Sequence, residues 1–238
     1  MGLFDEQVNA VAAFVRDKRA SGELREFATG ERKPWPEGSS LVLEEDSALE
    51  MGNPRIASLS VLLWTEGDIG DSGRVSIVGP DINEAADLSI PFAQVLIASG
   101  EFPNEYDSFR DLRDAVYDTH LSGLSVRTMP SKQTMWCKVA RDARAAGLSL
   151  VDLGAAYAEA LRGVEGVTAA EALFVTSSAA DVKRLAGAAS GAQRLVGTMM
   201  KMYQEQNFDC ETCEYADVCD TVMDLKKIRS KLADDKAV

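Results

Sequence analysis

At 238 residues, 46% of them hydrophobic and 26% charged, the chain is long enough to bury a sizeable core and has the composition of a globular protein. The formal net charge of −13, with no Lys/Arg block to offset it, argues against nucleic acid or anionic lipid as a partner. A single histidine leaves out histidine-based zinc hydrolases and imidazole-dependent triads, so any chemistry has to come from a metal, a cofactor or carboxylates.

No run approaches about 18 consecutive apolar residues, so no membrane span is expected. The opening MGLFDEQ has neither a basic region nor an apolar core, and Glu6 breaks the myristoylation pattern. A cytoplasmic protein with reduced thiols is the expectation.

The spacing of Val8, Val11, Ala12 and Val15 predicts an amphipathic helix over residues 3–20, stopped at Gly22. GERKPWPEGSS, with two prolines around Trp35, reads as a connector. Residues 41–100 read mostly as strands. Ile56–Thr65 is apolar on both faces and is expected in a sheet interior, with Val75–Val78 as its hairpin partner across GDIGDSG. Ile90–Ala98 is a third strand, and residues 104–118 a helix with Phe109, Leu112, Val116 and Tyr117 on one face. His120 falls in the turn that follows. Strands are predicted near Leu124–Thr128, Thr134–Val139 and Glu171–Thr176, and helices at 140–147, 150–163, 179–188, 190–204 and Asp220–Leu232. The methionines of Leu195, Met199 and Met202 are read as core filler, with shielding of a downstream cluster as the sharper alternative. The class is α/β or α+β: a mixed sheet flanked by helices, with an N-terminal helix and a helical C-terminal segment carrying cysteines. The expected divisions are 1–36, helix and connector; 37–188, the α/β body; and 189–238, the cysteine-bearing segment.

Three of the four cysteines, Cys210, Cys213 and Cys219, lie within NFDCETCEYADVCD at a C-x2-C-x5-C spacing. Thiolates are soft ligands suited to iron–sulfur clusters and zinc, and two cysteines three residues apart can point at one centre. Unligated thiols or a disulfide are the bland alternatives. With its tyrosine, the spacing C-x2-C-x-Y-x3-C resembles the start of the cysteine segment in SPASM-type auxiliary iron–sulfur domains, without that pattern's next cysteine. Cys137, far away on a predicted strand, is the candidate fourth ligand; an open iron or an oxygen ligand takes that place if Cys137 is buried. The expected cofactor is a [4Fe–4S] cluster, with zinc as the alternative.

Gly52, Pro54, Ala57 and Ser58, followed by Gly79–Pro80–Asp81, IPFAQVLIASG and TMWCKVARDARAAGLSLVDLG, make residues 40–175 resemble the middle domain of the β subunit of carbon monoxide dehydrogenase/acetyl-CoA synthase. The resemblance implies an α/β body and a place in C1 or redox metabolism. The family's nickel centre lies in a further domain with a longer cysteine array, which Cys210–Cys219 does not match. What it implies is therefore an iron–sulfur accessory protein or subunit without the nickel site, working with a redox or C1-transfer protein or as a homo-oligomer. The family's middle domain also helps bind coenzyme A. The corresponding segment here, SGLSVRTMPSKQTMW, lacks the family's tryptophan but offers Arg127 and Lys132 to a phosphate. Arg55, Arg74, Lys138 and Arg141 are the further cations of that reading, set against a simple solvated face. A zinc-stapled interaction module is the structural alternative.

Overall fold

The computed structural model describes residues 2–29, 34–39, 41–53, 55–70, 73–129, 132–192 and 194–198; Cys210, Cys213, Cys219 and the helix expected at Asp220–Leu232 lie outside them. In chain order the elements are α1 (Asp5–Ala20), β1 (Leu24–Ala28), β2 (Ser47–Met51), β3 (Ser58–Thr65), β4 (Arg74–Val78), β5 (Ser89–Ile90) and β6 (Phe92–Gly100). Then follow α2 (Glu105–Tyr117), β7 (Leu124–Met129), β8 (Thr134–Ala140), α3 (Arg141–Ala145), α4 (Leu150–Arg162), β9 (Val167–Val175) and α5 (Ala179–Ala188). Residues 190–192 and 194–198 are also helical. The expected α/β class and N-terminal helix are present, and the described residues fall almost wholly within one compact unit, Met1–Gly197.

Two mixed sheets are present where one was expected. The five-stranded sheet runs β1-β4-β9-β6-β3 and the four-stranded sheet β5-β2-β8-β7. All nine residues of β6 are buried, between a parallel β3 and an antiparallel β9. Both its faces are covered, which makes the strand largely apolar, with Gln94 and Ser99 as buried polar exceptions. α4 packs on the face that carries Val75 and Phe174, while α1 lies over the opposite face, with α5 beside it. Phe92 and Phe174 stack at 5.8 Å on the α4 side.

Two expectations about β3 are corrected. The strand starts at Ser58, and it stands last in the hydrogen-bonded order of its sheet, not in the interior. Its apolar character comes from what covers its outer edge. Ser60 N–H donates to the Gln133 carbonyl at 2.9 Å, and the Ser58 hydroxyl accepts from Met135 N–H at 2.7 Å while donating to the Met135 carbonyl. The start of β8 thus closes the edge and joins the two sheets. Nor is β4 the hairpin partner of β3. It pairs antiparallel with β1 and parallel with β9, so β9 and β6 lie between β3 and β4. The turn does reverse the chain, but two later strands enter the gap, which turn chemistry alone does not reveal.

β1, where no strand was expected, is an edge strand rich in charge. Arg25 pairs with Glu84 at 2.8 Å and Arg19 with Glu26 at 2.6 Å, an arrangement that discourages further strand addition. At the far side of the sheet Trp64 gathers Phe4 at 4.5 Å, Phe102 at 6.3 Å and Phe109 at 6.2 Å, anchoring the starts of α1 and α2 to the end of β3.

Candidate functional site

The β7–β8 hairpin holds Arg127, Lys132, Cys137 and Lys138 of the site residues expected from sequence. Its register sets Arg127 opposite Trp136, Ser125 opposite Lys138 and Val126 opposite Cys137. Side chains alternate across a strand, so Arg127, Trp136 and Lys138 share one face and Cys137 takes the other. On the shared face the Trp136 ring has the Arg127 guanidinium at 6.0 Å and the Lys138 ammonium at 5.1 Å. Lys138 also reaches Glu50 of β2 at 3.5 Å, and Glu50 accepts from Asn53 Nδ2 at 3.0 Å. The Trp136 indole N–H is buried and has no hydrogen-bond partner among the described residues. The result is an aromatic surface with two cations on it, suited to an anionic group carried by a flat ring.

Lys132 stands exposed in the turn of the same hairpin, close in sequence to the exposed Arg127. The other cations of the expected set do not join them. Arg74 lies on the five-stranded sheet, paired with Glu171 at 2.5 Å and Glu26 at 3.6 Å. Arg55 is exposed in the turn after Gly52, and Arg141 opens α3 at the opposite end of β8. Sequence reading put Trp136 on the strand without giving it a role. Strand alternation in TMWCKVA was the signal, since it places Trp136 with Lys138 and apart from Cys137.

Cys137 is completely buried, close to Tyr157 of α4. Burial pushes its thiol far above the ordinary range, and burial together with the nearby Cys137 does the same for the Tyr157 hydroxyl of α4. A thiol in such surroundings keeps its proton, whereas a metal ligand has to lose it.

The residues of the family resemblance hold the joints of this fold. Gly52, at φ +73°, lies where a Cβ would come within 2.3 Å of the Met135 carbonyl, beside the Ser58 clamp on the same residue. Gly79 has φ +105°, and a Cβ there would meet Ser177 N at 2.3 Å. Asp81 accepts from Leu150 N–H and Ile82 N–H, both at 2.7 Å, capping α4 together with the Ser149–Asp152 capping box. Burial raises the Asp81 carboxyl, and the backbone donors partly counter it.

A separate cavity of about 410 Å³ lies between the end of α2, α4 and the Trp35 connector. Trp35 donates to the Ser122 carbonyl at 3.0 Å, and exposed His120, Asp118 and Glu159 are among the lining residues. Arg127, Lys132 and Cys137 are not among them. No helix among the described residues is long and apolar enough to cross a membrane. No protein-family model matches the chain, and no curated protein matches it.

Proposed function

We propose that this chain is an iron–sulfur-cluster-binding accessory protein or subunit, related to the β subunit of carbon monoxide dehydrogenase/acetyl-CoA synthase but without its nickel site. It acts in cytoplasmic C1 or redox metabolism, within a complex. The observation that carries this reading is the C-x2-C-x5-C spacing of Cys210, Cys213 and Cys219. Three thiolates in ten residues supply the soft donors that an iron–sulfur cluster takes. Support for the family relation comes from Gly52, Ser58, Gly79 and Asp81, which serve as backbone joints, the kind of role that keeps a residue type fixed. Sealed in the core, Cys137 is poorly suited to be the fourth ligand, so an oxygen donor or an open iron takes that place.

Protein purified without air tests the reading through its iron, acid-labile sulfide and zinc content. Iron and sulfide in near-equal amounts, lost in Cys213→Ser and kept in Cys137→Ser, is the expected result. Metal-free wild-type protein, or a Cys213→Ser variant with unchanged iron, overturns it. Zinc without sulfide turns the site into a structural staple.

A second reading has its own observation. The Trp136 ring, with Arg127 and Lys138 on it, suits the ring and phosphates of coenzyme A or an acyl thioester. Quenching of tryptophan fluorescence by coenzyme A, weakened in Arg127→Ser and by added salt, is the expected sign. Quenching that persists unchanged in that variant rules the face out.

A further inference from the structure

On the α1 side of the five-stranded sheet, a cavity of about 240 Å³ opens between the helix and the strands. Val8 and Val15 of α1 and Val95, Ile97 and Leu173 of the strands give it apolar walls. The charged groups that line it are Arg16, Arg19, Arg74, Asp68 and Glu171, three guanidiniums against two carboxylates. Glu26 adds a third carboxylate beside them, at 2.6 Å from Arg19 and 3.6 Å from Arg74. Arg19 is paired with Glu26 at 2.6 Å and Arg74 with Glu171 at 2.5 Å. Arg16 is exposed and has no ion-pair or hydrogen-bond partner among the described residues.

These features select a ligand class. A small hydrophilic anion gains nothing from walls of valine, isoleucine and leucine, and entering them removes its hydration. A neutral alkane makes no use of Arg16. An aliphatic chain ending in a carboxylate satisfies both: the chain removes apolar surface from water, and the guanidinium fork meets the carboxylate in two parallel hydrogen bonds. We propose that this cavity binds a short- to medium-chain aliphatic carboxylate, with its tail between α1 and strands β6 and β9 and its head on Arg16. The proposal is independent of the cysteine site and of the Trp136 face.

The test uses octanoate added to the full chain and followed by calorimetry and by methyl NMR. Saturable binding, with shifts concentrated at Val8, Val15, Val95 and Leu173, is expected. Octylammonium, which has the same tail with the opposite charge, should bind about tenfold more weakly, as should inorganic phosphate, which has no tail. Arg16→Ser should weaken octanoate by about tenfold, and Ala12→Phe, at an exposed helix position lining the cavity, should block it. Should either variant fail to fold, spin-labelled octanoate on the wild-type protein still locates the ligand through relaxation of those methyl signals. Absence of saturable binding, equal affinity for octanoate and octylammonium, full affinity in folded Arg16→Ser, or shifts confined to other residues overturns the proposal.

Discussion

Gly79 turns the chain out of β4 at φ +105°, with Ser177 N where a side chain would begin, and Thr176 Oγ1 donates to the next carbonyl, that of Pro80, at 2.6 Å. Alanine there meets both a forbidden dihedral and backbone that cannot move aside. Gly79→Ala should lower stability by about 3 kcal/mol, read from urea unfolding midpoints. A second residue-scale device is Lys18, nearly buried at the end of α1 between Glu23 at 2.5 Å and Asp181 at 2.8 Å. Burial pulls the Asp181 carboxyl upward, but hydrogen bonds from Lys18, Ser177 and Ser178 outweigh it and hold Asp181 below its ordinary 3.8. A lowered carboxyl contributes stability above its unfolded value and loses it as pH falls through the folded one. Stability should therefore drop on acidification below about pH 4, more steeply in the wild type than in Asp181→Asn. At neutral pH that variant should be weaker by about 2 kcal/mol, because half-exposed Glu23 still answers part of the Lys18 charge. Equal pH slopes for the two proteins would show that the pair does not titrate as described.

At the scale of elements, the join between the sheets rests on the Ser58 hydroxyl and the Ser60–Gln133 backbone hydrogen bond. Ser58 serves both backbone groups of Met135, and Gly52 leaves room for the same carbonyl to approach. Ser58→Ala leaves a backbone donor and acceptor without that partner inside the protein, at a cost of about 2 kcal/mol. Hydrogen exchange gives the finer readout: the Met135 and Ser60 amides should exchange faster, while those of β6 and β9 stay protected. Uniform acceleration across both sheets would instead mean that the join is not a local device. The hairpin that carries Arg127 and Trp136 is also held by β2, so the Trp136 face should keep its protection in the same variant.

For the molecule as a whole, the first 28 residues do more than carry a helix. Phe4 just before α1 and Val11 and Phe14 within it are buried, and β1 pairs along all five of its residues with β4. Removing residues 1–28 strips an edge strand and one covering layer from the five-stranded sheet. The truncated chain should lose cooperative thermal unfolding and bind hydrophobic dye. A truncated protein that melts as sharply as the full chain would contradict that role for α1 and β1.

Sequence by itself determined the types of most elements, because period 3.6 and period 2 are local properties. Thus Glu105–Tyr117, Leu150–Arg162 and Ala179–Ala188 were legible as helices, and Thr134–Ala140 as a strand with Trp136 and Lys138 on one face. It also determined the cysteine spacing at Cys210–Cys219, which needs no fold to be recognised. Tertiary structure alone decided which strands are neighbours, since pairing depends on contacts between segments far apart in the chain. β4 beside β1 and β9, β3 sealed by Ser60 and Gln133, and the division into two sheets follow from such contacts. The charges of LREFA hid β1, because an edge strand needs little apolar surface once a partner supplies its backbone hydrogen bonds. The same reason separates the cations of the expected anion site. Arg74 and Arg127 are alike in sequence, and only the sheet each belongs to leaves one paired with Glu171 and the other lying on Trp136.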